Sequence, residues 1–533
     1  MKTFRLIATV SFMLMLFVAC KHNKKEQIEQ QAIESVVHNE EALYRPNFHF
    51  TPQKAWMNDP NGMFYYNGYY HLYFQYHPES NVWGPMHWGH AISTDMISWR
   101  ELPIALYPDE LGTIFSGSAV VDIGNTSGLG RTEKAAPVVA MYTSSKQLEG
   151  TDNWKQTQSI AYSNDEGKTF TKFEGNPVID NDSLKDFRDP KVAWDEERNR
   201  WIMVLAAGDR IMFYESENLK NWKFLSDFGQ GIGGHGGVWE CPDFFKLPVN
   251  GGDDYKWVLF VSINPGGPNG GSATQYFIGD FDGTQFVMDP EFAEDLAKDH
   301  NYWIDFGKDN YAGVSWSNAR RKDGSKLMLG WMSNWQYAQK VPTETWRSAM
   351  TVARKVQLKK DDNGYRLVSN PVKELEGYRS TKYKKEDLLI SGETKIVDSK
   401  VITLSSTEIK FEISDFQTSA FTFKLSNQQG DMLLFGYDKT NNSFFIDRSK
   451  SGKIDFSEDF ASKKTKAPRT SSNSTLTGTI ILDKTSVELF YDQGETVMTE
   501  IFFPNAPYDT LSMIAGDEDF TINHIEIHKL NVN

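Results

Sequence analysis

Short runs of aromatic and β-branched residues recur along most of the chain, and clusters of Gly, Pro, Asn and Asp separate them. Examples are GMFYYNGYYHLYFQYH, PVVAMYTSS, RWIMVLAAG and KWVLFVSIN. Runs of this length with turn residues at both ends are typical of β-strands joined by short loops. Because long amphipathic helical patterns are scarce, the sequence predicts an all-β protein.

A weak internal repeat indicates how these strands are arranged. The segments STDMISWREL (93–102), SNDEGKTFTKF (163–173) and SENLKNWKFL (216–225) each begin with Ser, pass through a polar turn and return on an aromatic residue. Their spacing suits the blades of a β-propeller with loops of variable length. Similar hairpins also arise by chance in β proteins, so the repeat alone leaves the architecture open.

The pattern changes near residue 357. The stretch KKDDNGYRLVSNPVKELEGYRS contains a proline and a short helical pattern, and alternation of apolar and polar residues resumes in TEIKFEISDF, SAFTFKLS and GTIILDKTSVELFYDQ. Alternation with turns about every eight to twelve positions is typical of a β-sandwich. We therefore predict a propeller at 44–356, a linker at 357–384 and a sandwich at 385–533.

The N-terminal residues have the pattern of an export signal. A basic start precedes a largely apolar stretch at 6–19, and Cys20 follows it. This resembles a bacterial lipoprotein signal, which implies a signal peptide at 1–19, a lipid anchor at Cys20 and a polar tether at 20–43. A plain secretory signal and a short transmembrane anchor are the alternatives, although a helix that spans a bilayer needs about 20 apolar residues.

Charge and composition exclude several classes of partner. The chain has 56 Lys and Arg against 71 Asp and Glu, and its formal net charge of −15 repels phosphate backbones, so we expect no nucleic-acid partner. The histidines are scattered without a zinc-ligand pattern, which predicts no metal site. The Gly-rich segments GGHGG and NPGGPNGG precede no helical pattern, as a phosphate loop would, and we expect no cofactor.

Three acidic residues lie beside turn-forming residues in aromatic segments. They are Asp59 in WMNDPNG, Asp189 in FRDPK and Glu240 in GGVWECPDFF. Strand ends of this kind would aim side chains into the central funnel of a propeller. Retaining hydrolysis of a glycosidic bond needs two carboxyl groups about 5 Å apart, one a nucleophile and one an acid that becomes a base. Since a single Asp-Pro is a common structural turn, this interpretation depends on all three segments.

The same segments resemble those of glycoside hydrolase family 32, the invertases, inulinases, levanases and other fructan hydrolases. The resemblance runs from about Phe48 to Phe503 and follows the family order. It includes WMNDPNG, FRDP and WECPD, and also WGPMHWGHAISTDMISWRELPIAL, FSGSAV, LGWMSNWQYA and VPTETWRSAMTVARK. It implies a five-bladed β-propeller followed by a C-terminal β-sandwich, in agreement with the architecture read from the strands.

The resemblance also implies a role for each acid. Asp59 would attack the anomeric carbon of a β-linked fructosyl unit and form a covalent intermediate. Glu240 would protonate the leaving oxygen and then activate water, so that configuration is retained. Asp189 would accept hydrogen bonds from fructose hydroxyls, and Arg188 beside it would favour the ionised carboxylate. Cys241 is interpreted as a buried neighbour of these groups.

Further residues would bind the first sugar. Those implied to hydrogen-bond ring hydroxyls are Asn58, Gln75 and Ser116. Those implied to form aromatic walls are Trp56, Trp83, Phe115 and Trp335. Core packing is the alternative for each aromatic residue, and Trp331 could replace Trp335 because strand alternation could send either ring inward.

The predicted function is a retaining hydrolase of β-fructosyl linkages in levan, inulin, fructo-oligosaccharides or sucrose, exported and lipid-anchored in the bacterial cell envelope. LGWMSNWQYA resembles the segment of exo-acting inulinases and levanases, which favours release of fructose, with endo action as the alternative. A fructosyltransferase would share all three acids. A non-catalytic fructan-binding lipoprotein would be free to lose Asp59 or Glu240. Linkage preference, oligomeric state and the role of the sandwich stay open.

Overall fold

The structure is a computed structural model that describes residues 41–414, 416 and 418–532. Its regular elements are mostly strands, as predicted. Within the described residues, those before 372 form five sheets, which are antiparallel except for one short parallel strand pair. The strands of the first four sheets are β1 (Ala55–Tyr66), β2 (Tyr69–His77), β3 (His87–Ser93) and β4 (Arg100–Leu106); β5 (Thr113–Val121), β6 (Val138–Gln147), β7 (Trp154–Ser163) and β8 (Thr171–Lys172); β9 (Phe187–Asp195), β10 (Arg200–Ala207), β11 (Ile211–Ser216) and β12 (Lys223–Phe228); β13 (Val238–Pro248), β14 (Tyr255–Asn264), β15 (Ala273–Phe281) and β16 (Phe286–Met288).

A short helix and the fifth sheet complete this region. Helix α1 (Pro290–Lys298) follows β16; Asp289 caps its first turn and it buries Phe292 and Leu296. The fifth sheet contains β17 (Tyr311–Ser315), β18 (Lys326–Trp331), β20 (Arg354–Asp361) and β21 (Gly364–Pro371), while the intervening β19 (Trp346–Arg347) pairs in parallel with β1.

The five sheets are the blades of a closed β-propeller. The first strand of each sheet contacts the first strand of the next, and β17 contacts β1. Backbone hydrogen bonds reinforce this last junction: the Ser317 amide donates to the Met63 carbonyl at 2.9 Å, and the Tyr65 amide donates to the Ser317 carbonyl at 3.0 Å. Because the ring closes, the inner strands present no free edge.

A β-bulge interrupts the first strand of every blade at an equivalent place. The residues that lack a partner on the second strand are Asn58 and Asp59, Phe115 and Ser116, Asp189 and Pro190, Cys241 and Pro242, and Ala312 and Gly313. The backbone takes a positive φ at Asp189 (67°), Cys241 (45°) and Ala312 (53°). Bulges bend a strand and redirect its side chains, so the five first strands turn their bulged residues toward one another.

The C-terminal region is a β-sandwich of two six-stranded sheets, counted within the described residues. A 3₁₀ helix (Lys373–Tyr378) leads into it, and a second one (Asp492–Gly494) lies inside it. Its strands are β22 (Arg379–Ile390), β23 (Glu393–Asp398), β24 (Ser406–Ile413), β25 (Ala420–Ser426), β26 (Met432–Asp438), β27 (Ser443–Lys450), β28 (Thr465–Pro468), β29 (Leu476–Asp483), β30 (Ser486–Tyr491), β31 (Thr496–Ile501), β32 (Thr510–Ala515) and β33 (Phe520–Leu530). Apolar residues alternate along facing strands and fill the space between the sheets, as the sequence pattern predicted.

Buried ion pairs join the propeller to the sandwich. Arg354 of β20 donates to Asp305 Oδ2 at 2.8 Å and to Glu488 of β30 at 2.5 Å, and its side chain is 0% exposed. The His49 ring bridges Asp483 at 2.9 Å and Glu488 at 2.8 Å. Burial alone lowers the pKa of His49, but hydrogen bonds to the two carboxylates raise it to about 9. The two regions therefore share a charged core and form one body.

The predicted linker, the domain bounds and the N-terminal segments compare differently with the structure. Residues 357–384, predicted as a linker, contain β21, a 3₁₀ helix and part of β22, because Asn363-Gly364 closes the β20–β21 hairpin. The domain boundaries predicted from the sequence, taken together, remain a prediction. The signal peptide at 1–19, Cys20 and the tether up to residue 40 lie outside the described residues. No helix in the described part of the chain is long and apolar enough to cross a membrane.

Candidate active site

A cavity of about 990 Å³ opens at the end of the propeller where the bulges lie. Its lining includes all three predicted acids, Asp59, Asp189 and Glu240. Predicted sugar-binding residues also line it: Asn58, Trp83, Phe115, Ser116, Arg188 and Trp335. The structure therefore brings together residues from four first strands that lie far apart in sequence.

Two carboxylates form the floor of the cavity. Oδ2 of Asp59 accepts hydrogen bonds from Ser116 Oγ at 2.7 Å and from Cys241 Sγ at 3.5 Å. Oδ2 of Asp189 accepts the Cys241 amide at 2.9 Å and the Cys241 thiol at 3.6 Å. Oδ1 of Asp59 is buried and has no hydrogen-bond partner in the described part of the chain. Two donors therefore hold Oδ2 of Asp59 in place, while Oδ1 is buried.

Glu240 is held from both sides by residues in equivalent positions. Arg188, Glu240 and Tyr311 each stand immediately before the bulge of their strand. Arg188 Nη2 donates to Glu240 Oε1 at 2.9 Å, and the Tyr311 hydroxyl donates to Oε2. Arg188 is itself fixed by Asp186, which accepts from Nη1 at 2.7 Å. This arrangement orients one carboxylate at the cavity wall through charge-assisted hydrogen bonds.

Burial perturbs the protonation of the floor. Desolvation raises the pKa of Asp59, opposed by the hydrogen bond from Ser116 and reinforced by the charge of Glu240. Desolvation likewise raises the pKa of Asp189 to about 7, although the positive charge of Arg188 lowers it. Burial raises the pKa of the Cys241 thiol, with the neighbouring carboxylates adding to the effect, so the thiol stays protonated and can donate. Clusters of perturbed acids in a cavity are typical of catalytic sites.

Aromatic rings form the wall between blades 1 and 5. Trp335 lines the cavity and stacks on Trp56, with centroids 5.8 Å apart. Trp83 contacts Phe115 edge to face at 6.1 Å, and its amide donates to Gln339 Oε1 at 3.2 Å. The last contact connects a blade 1 loop to a blade 5 loop at the cavity rim.

Two predicted sugar-binding residues do not line the cavity. Trp56 is 0% exposed, packs behind Trp335 and donates from Nε1 to Asn58 Oδ1 at 2.8 Å. Gln75 is 2% exposed and donates to the Ile114 carbonyl at 3.0 Å, which holds the start of the β5 bulge. Both residues lie one layer behind the cavity surface. Trp331 is also buried, so Trp335 is the ring that faces the cavity.

Sequence reasoning missed several residues of the site. Tyr311 touches Glu240, Asp186 and Gln156 contact Arg188, and Asn264 and Gln339 line the cavity. The sequence did contain a pattern that could have identified Tyr311. In the first strand of each blade, a Pro or Gly follows one residue of the bulge region. These pairs are Asp59-Pro60, Ser116-Gly117, Asp189-Pro190, Cys241-Pro242 and Ala312-Gly313. Aligned on them, Tyr311 falls in the same position as Glu240 and Arg188.

In the part of the chain that the structure describes, no group of three or more His, Cys, Asp or Glu side chains is arranged to hold a metal ion. The chemistry that the side chains themselves offer is that of two carboxyl groups. Asp59 lies on the floor with Oδ2 held by Ser116, and Glu240 stands on the wall with two donors that set its orientation. Such a pair can supply a nucleophile and a proton donor.

Comparison with protein-family models gives two adjacent matches. The model described as glycosyl hydrolases family 32 N-terminal domain matches residues 49–371. The model described as glycosyl hydrolases family 32 C terminal matches residues 374–529. Together they span the propeller and the sandwich.

Characterised proteins and solved structures similar to this chain include levanases and exo-inulinases. A levanase from Bacillus subtilis is 48% identical over 489 residues, which are 91% of this chain and 70% of the levanase. An extracellular exo-inulinase from Aspergillus niger is 40% identical over 510 residues, 89% of this chain and 92% of the inulinase. The crystal structure of exo-inulinase from Aspergillus awamori superposes with a TM-score of 0.84 at 37% identity, covering 91% of this chain and 98% of that one.

Proposed function

The chain belongs to glycosyl hydrolases family 32 and is a glycoside hydrolase of β-fructosyl linkages, and on that premise we propose that Asp59 and Glu240 cleave the linkage with retention of configuration. The observation that carries this proposal is the arrangement of the two carboxylates in one cavity. Asp59 lines this cavity with Oδ2 held by Ser116, and Glu240 is clamped by Arg188 and Tyr311.

In the first step, the carboxylate of Asp59 attacks the anomeric carbon of the fructosyl unit. The bond from that carbon to the leaving oxygen breaks, and Glu240 gives its proton to this oxygen. In the second step, Glu240 takes a proton from water, whose oxygen bonds to the anomeric carbon as the Asp59 ester bond breaks. Two displacements at one carbon retain its configuration.

Asp189 supports both steps without forming a bond to the sugar. Its carboxylate lies beside Asp59, connected to it through the Cys241 thiol. When ionised, it accepts hydrogen bonds from fructose hydroxyls and stabilises positive charge that develops at the anomeric carbon. Asn58 and Ser116 lie within the same lining, and Trp83, Phe115 and Trp335 provide the apolar wall for the bound ring.

Action from the chain end is the second part of the proposal. The hydrogen bond between Trp83 and Gln339, and another from Asn81 Nδ2 to the Glu344 carbonyl at 3.0 Å, join the loops of blades 1 and 5. Joined loops favour a pocket that takes one terminal fructosyl unit over an open cleft. The names of the Aspergillus relatives, exo-inulinases, support the same mode.

A time course on levan, inulin and sucrose tests the function, with products separated by size. Fructose as the product at the earliest times is the expected result. A ladder of oligosaccharides would contradict exo action, and products longer than the substrate would move the assignment to a fructosyltransferase. No turnover of any β-fructoside would overturn the assignment as a hydrolase.

The enzyme is exported, as are relatives named extracellular. We propose further that Cys20 carries a lipid that holds it at the cell envelope, because a basic start and an apolar stretch precede this cysteine. Cys20→Ala should move the protein from the membrane fraction to the soluble fraction, with Cys241→Ala as the matched control. Unchanged membrane association of Cys20→Ala would refute the lipid anchor.

A further inference from the structure

The cavity continues well beyond the three acids. Half of its lining comes from two adjacent segments of blades 2 and 3, which are 148 with 152–156 and 181–186. Neither segment contributes to the floor or to the aromatic wall between blades 1 and 5. We propose that this arm of the cavity, defined by these two segments, binds the part of a fructan chain that leaves, with Trp154 as its stacking surface; the inference rests on the function proposed above.

The direction of the arm follows from the contacts of Arg188. Glu240 protonates the leaving oxygen, so the leaving group must lie on its side of the bound fructosyl ring. Arg188 binds Glu240 and also donates to Asp186 at 2.7 Å and to Gln156 at 3.4 Å. Both of these partners belong to the arm. A continuous line of polar contacts therefore runs from the proton donor into the arm.

Trp154 lies farther along the same face of the arm. In β7, residues two apart point to the same side of the sheet, so the Trp154 ring is on the side of Gln156. Two residues of extended chain correspond to about 7 Å. This places Trp154 beyond the position of the first leaving unit, where a longer chain but not a disaccharide would extend.

The surface at this position suits a sugar. Trp154 is 46% exposed although it is a large apolar side chain, and the polar residues Asp152, Asn153 and Asp182 line the same arm. An exposed aromatic face bordered by hydrogen-bonding groups matches the apolar C–H face and peripheral hydroxyls of a sugar ring.

The arm is also held in shape before any ligand binds. Asn181 Nδ2 donates to the Leu184 carbonyl at 2.8 Å and to the Gln156 carbonyl at 3.1 Å, which fastens the 181–186 segment to β7. Lys155 pairs with Asp180 at 2.8 Å on the same strand edge. A preformed surface loses less conformational entropy when a ligand binds.

The test compares substrates of increasing length within one enzyme preparation. We expect Trp154→Ala to reduce the ratio of kcat/KM on inulin and levan to kcat/KM on sucrose by roughly two- to tenfold, mainly through KM. Trp154→Phe should keep most of the ratio because it keeps a ring. The control is Tyr255→Ala, an aromatic residue that is 52% exposed on blade 4 outside the cavity.

The ratio does not depend on how much of each preparation is folded, so a destabilised variant still gives an answer. An unchanged ratio in Trp154→Ala would overturn the inference, as would an equal loss on sucrose and on the polymers. A fall of the same size in Tyr255→Ala would also overturn it. If the wild-type enzyme cleaves no fructoside, the proposed function itself is refuted. If the enzyme cleaves all the substrates but Trp154→Ala leaves the ratio unchanged, only the inference about the arm is refuted.

Discussion

The hydroxyl of Tyr311 donates a hydrogen bond to Oε2 of Glu240, while Arg188 binds the opposite oxygen of the same carboxylate. Tyr311 is almost fully buried and packs edge to face against Trp331, which fixes the direction of its hydroxyl. Glu240, the proposed proton donor, is therefore positioned by a residue on the fifth blade as well as by one on the third.

Tyr311→Phe should lower kcat by about ten- to hundredfold with a smaller change in KM, because it removes one hydrogen bond to a charged group. Steady-state kinetics on sucrose, with the enzyme concentration corrected for the folded fraction, measure kcat and KM separately. A purely structural role for Tyr311 would lower the amount of folded enzyme and leave the kcat of the folded fraction unchanged.

Asp59→Ala and Glu240→Ala should each lower turnover by several orders of magnitude without loss of the fold. The two variants should differ in rescue on a β-fructoside whose leaving group needs no proton. Azide should restore part of the turnover of Glu240→Ala, since this anion attacks the covalent intermediate without a general base. Asp59→Ala should show no such rescue, and substantial residual activity in either variant would contradict the assignment.

Ser116→Ala should move the acid limb of kcat/KM to higher pH. As the proposed nucleophile, Asp59 acts when ionised, so activity should rise as pH rises through the pKa of Asp59. Burial already raises this pKa, and the Ser116 hydrogen bond opposes the increase, so its removal raises the pKa further. Ser116→Thr, which keeps a hydroxyl, serves as the control. An acid limb that stays in place in Ser116→Ala would argue against Asp59 as the group that titrates.

His49→Gln should destabilise the protein in a pH-dependent way. The folded pKa of His49 is about 9, above the ordinary 6.5, so its stabilisation is complete below about pH 6.5 and is lost as pH rises through about 9. A difference of this size corresponds to about 3 kcal/mol of free energy of unfolding. Urea denaturation at pH 6, 8 and 9.5 should show the gap between wild type and variant narrowing with pH. A constant gap would mean that His49 contributes through packing and not through its charge.

The fold class and the three acids could be predicted from local patterns. Strand runs bounded by turn residues specify β-structure because backbone conformation responds to neighbouring residues. The segments around Asp59, Asp189 and Glu240 also carry their turn chemistry within a few residues, and the structure places all three in one cavity. Trp56 and Gln75 were predicted to bind sugar from their sequence segments alone. They lie one layer behind the cavity, because closeness to Asp59 in sequence or across a strand pair does not decide which side chains face the cavity.

The sequence by itself thus determined the all-β elements and the propeller-then-sandwich order, and it singled out three acids that the structure places in one cavity. The tertiary structure alone decided which groups surround them. Arg188 and Glu240 are 52 positions apart, and Tyr311 and Glu240 are 71 apart. Their contacts exist because five blades close into a ring and each first strand bulges at the same level. Ring closure depends on packing between whole sheets, and no short segment encodes that geometry.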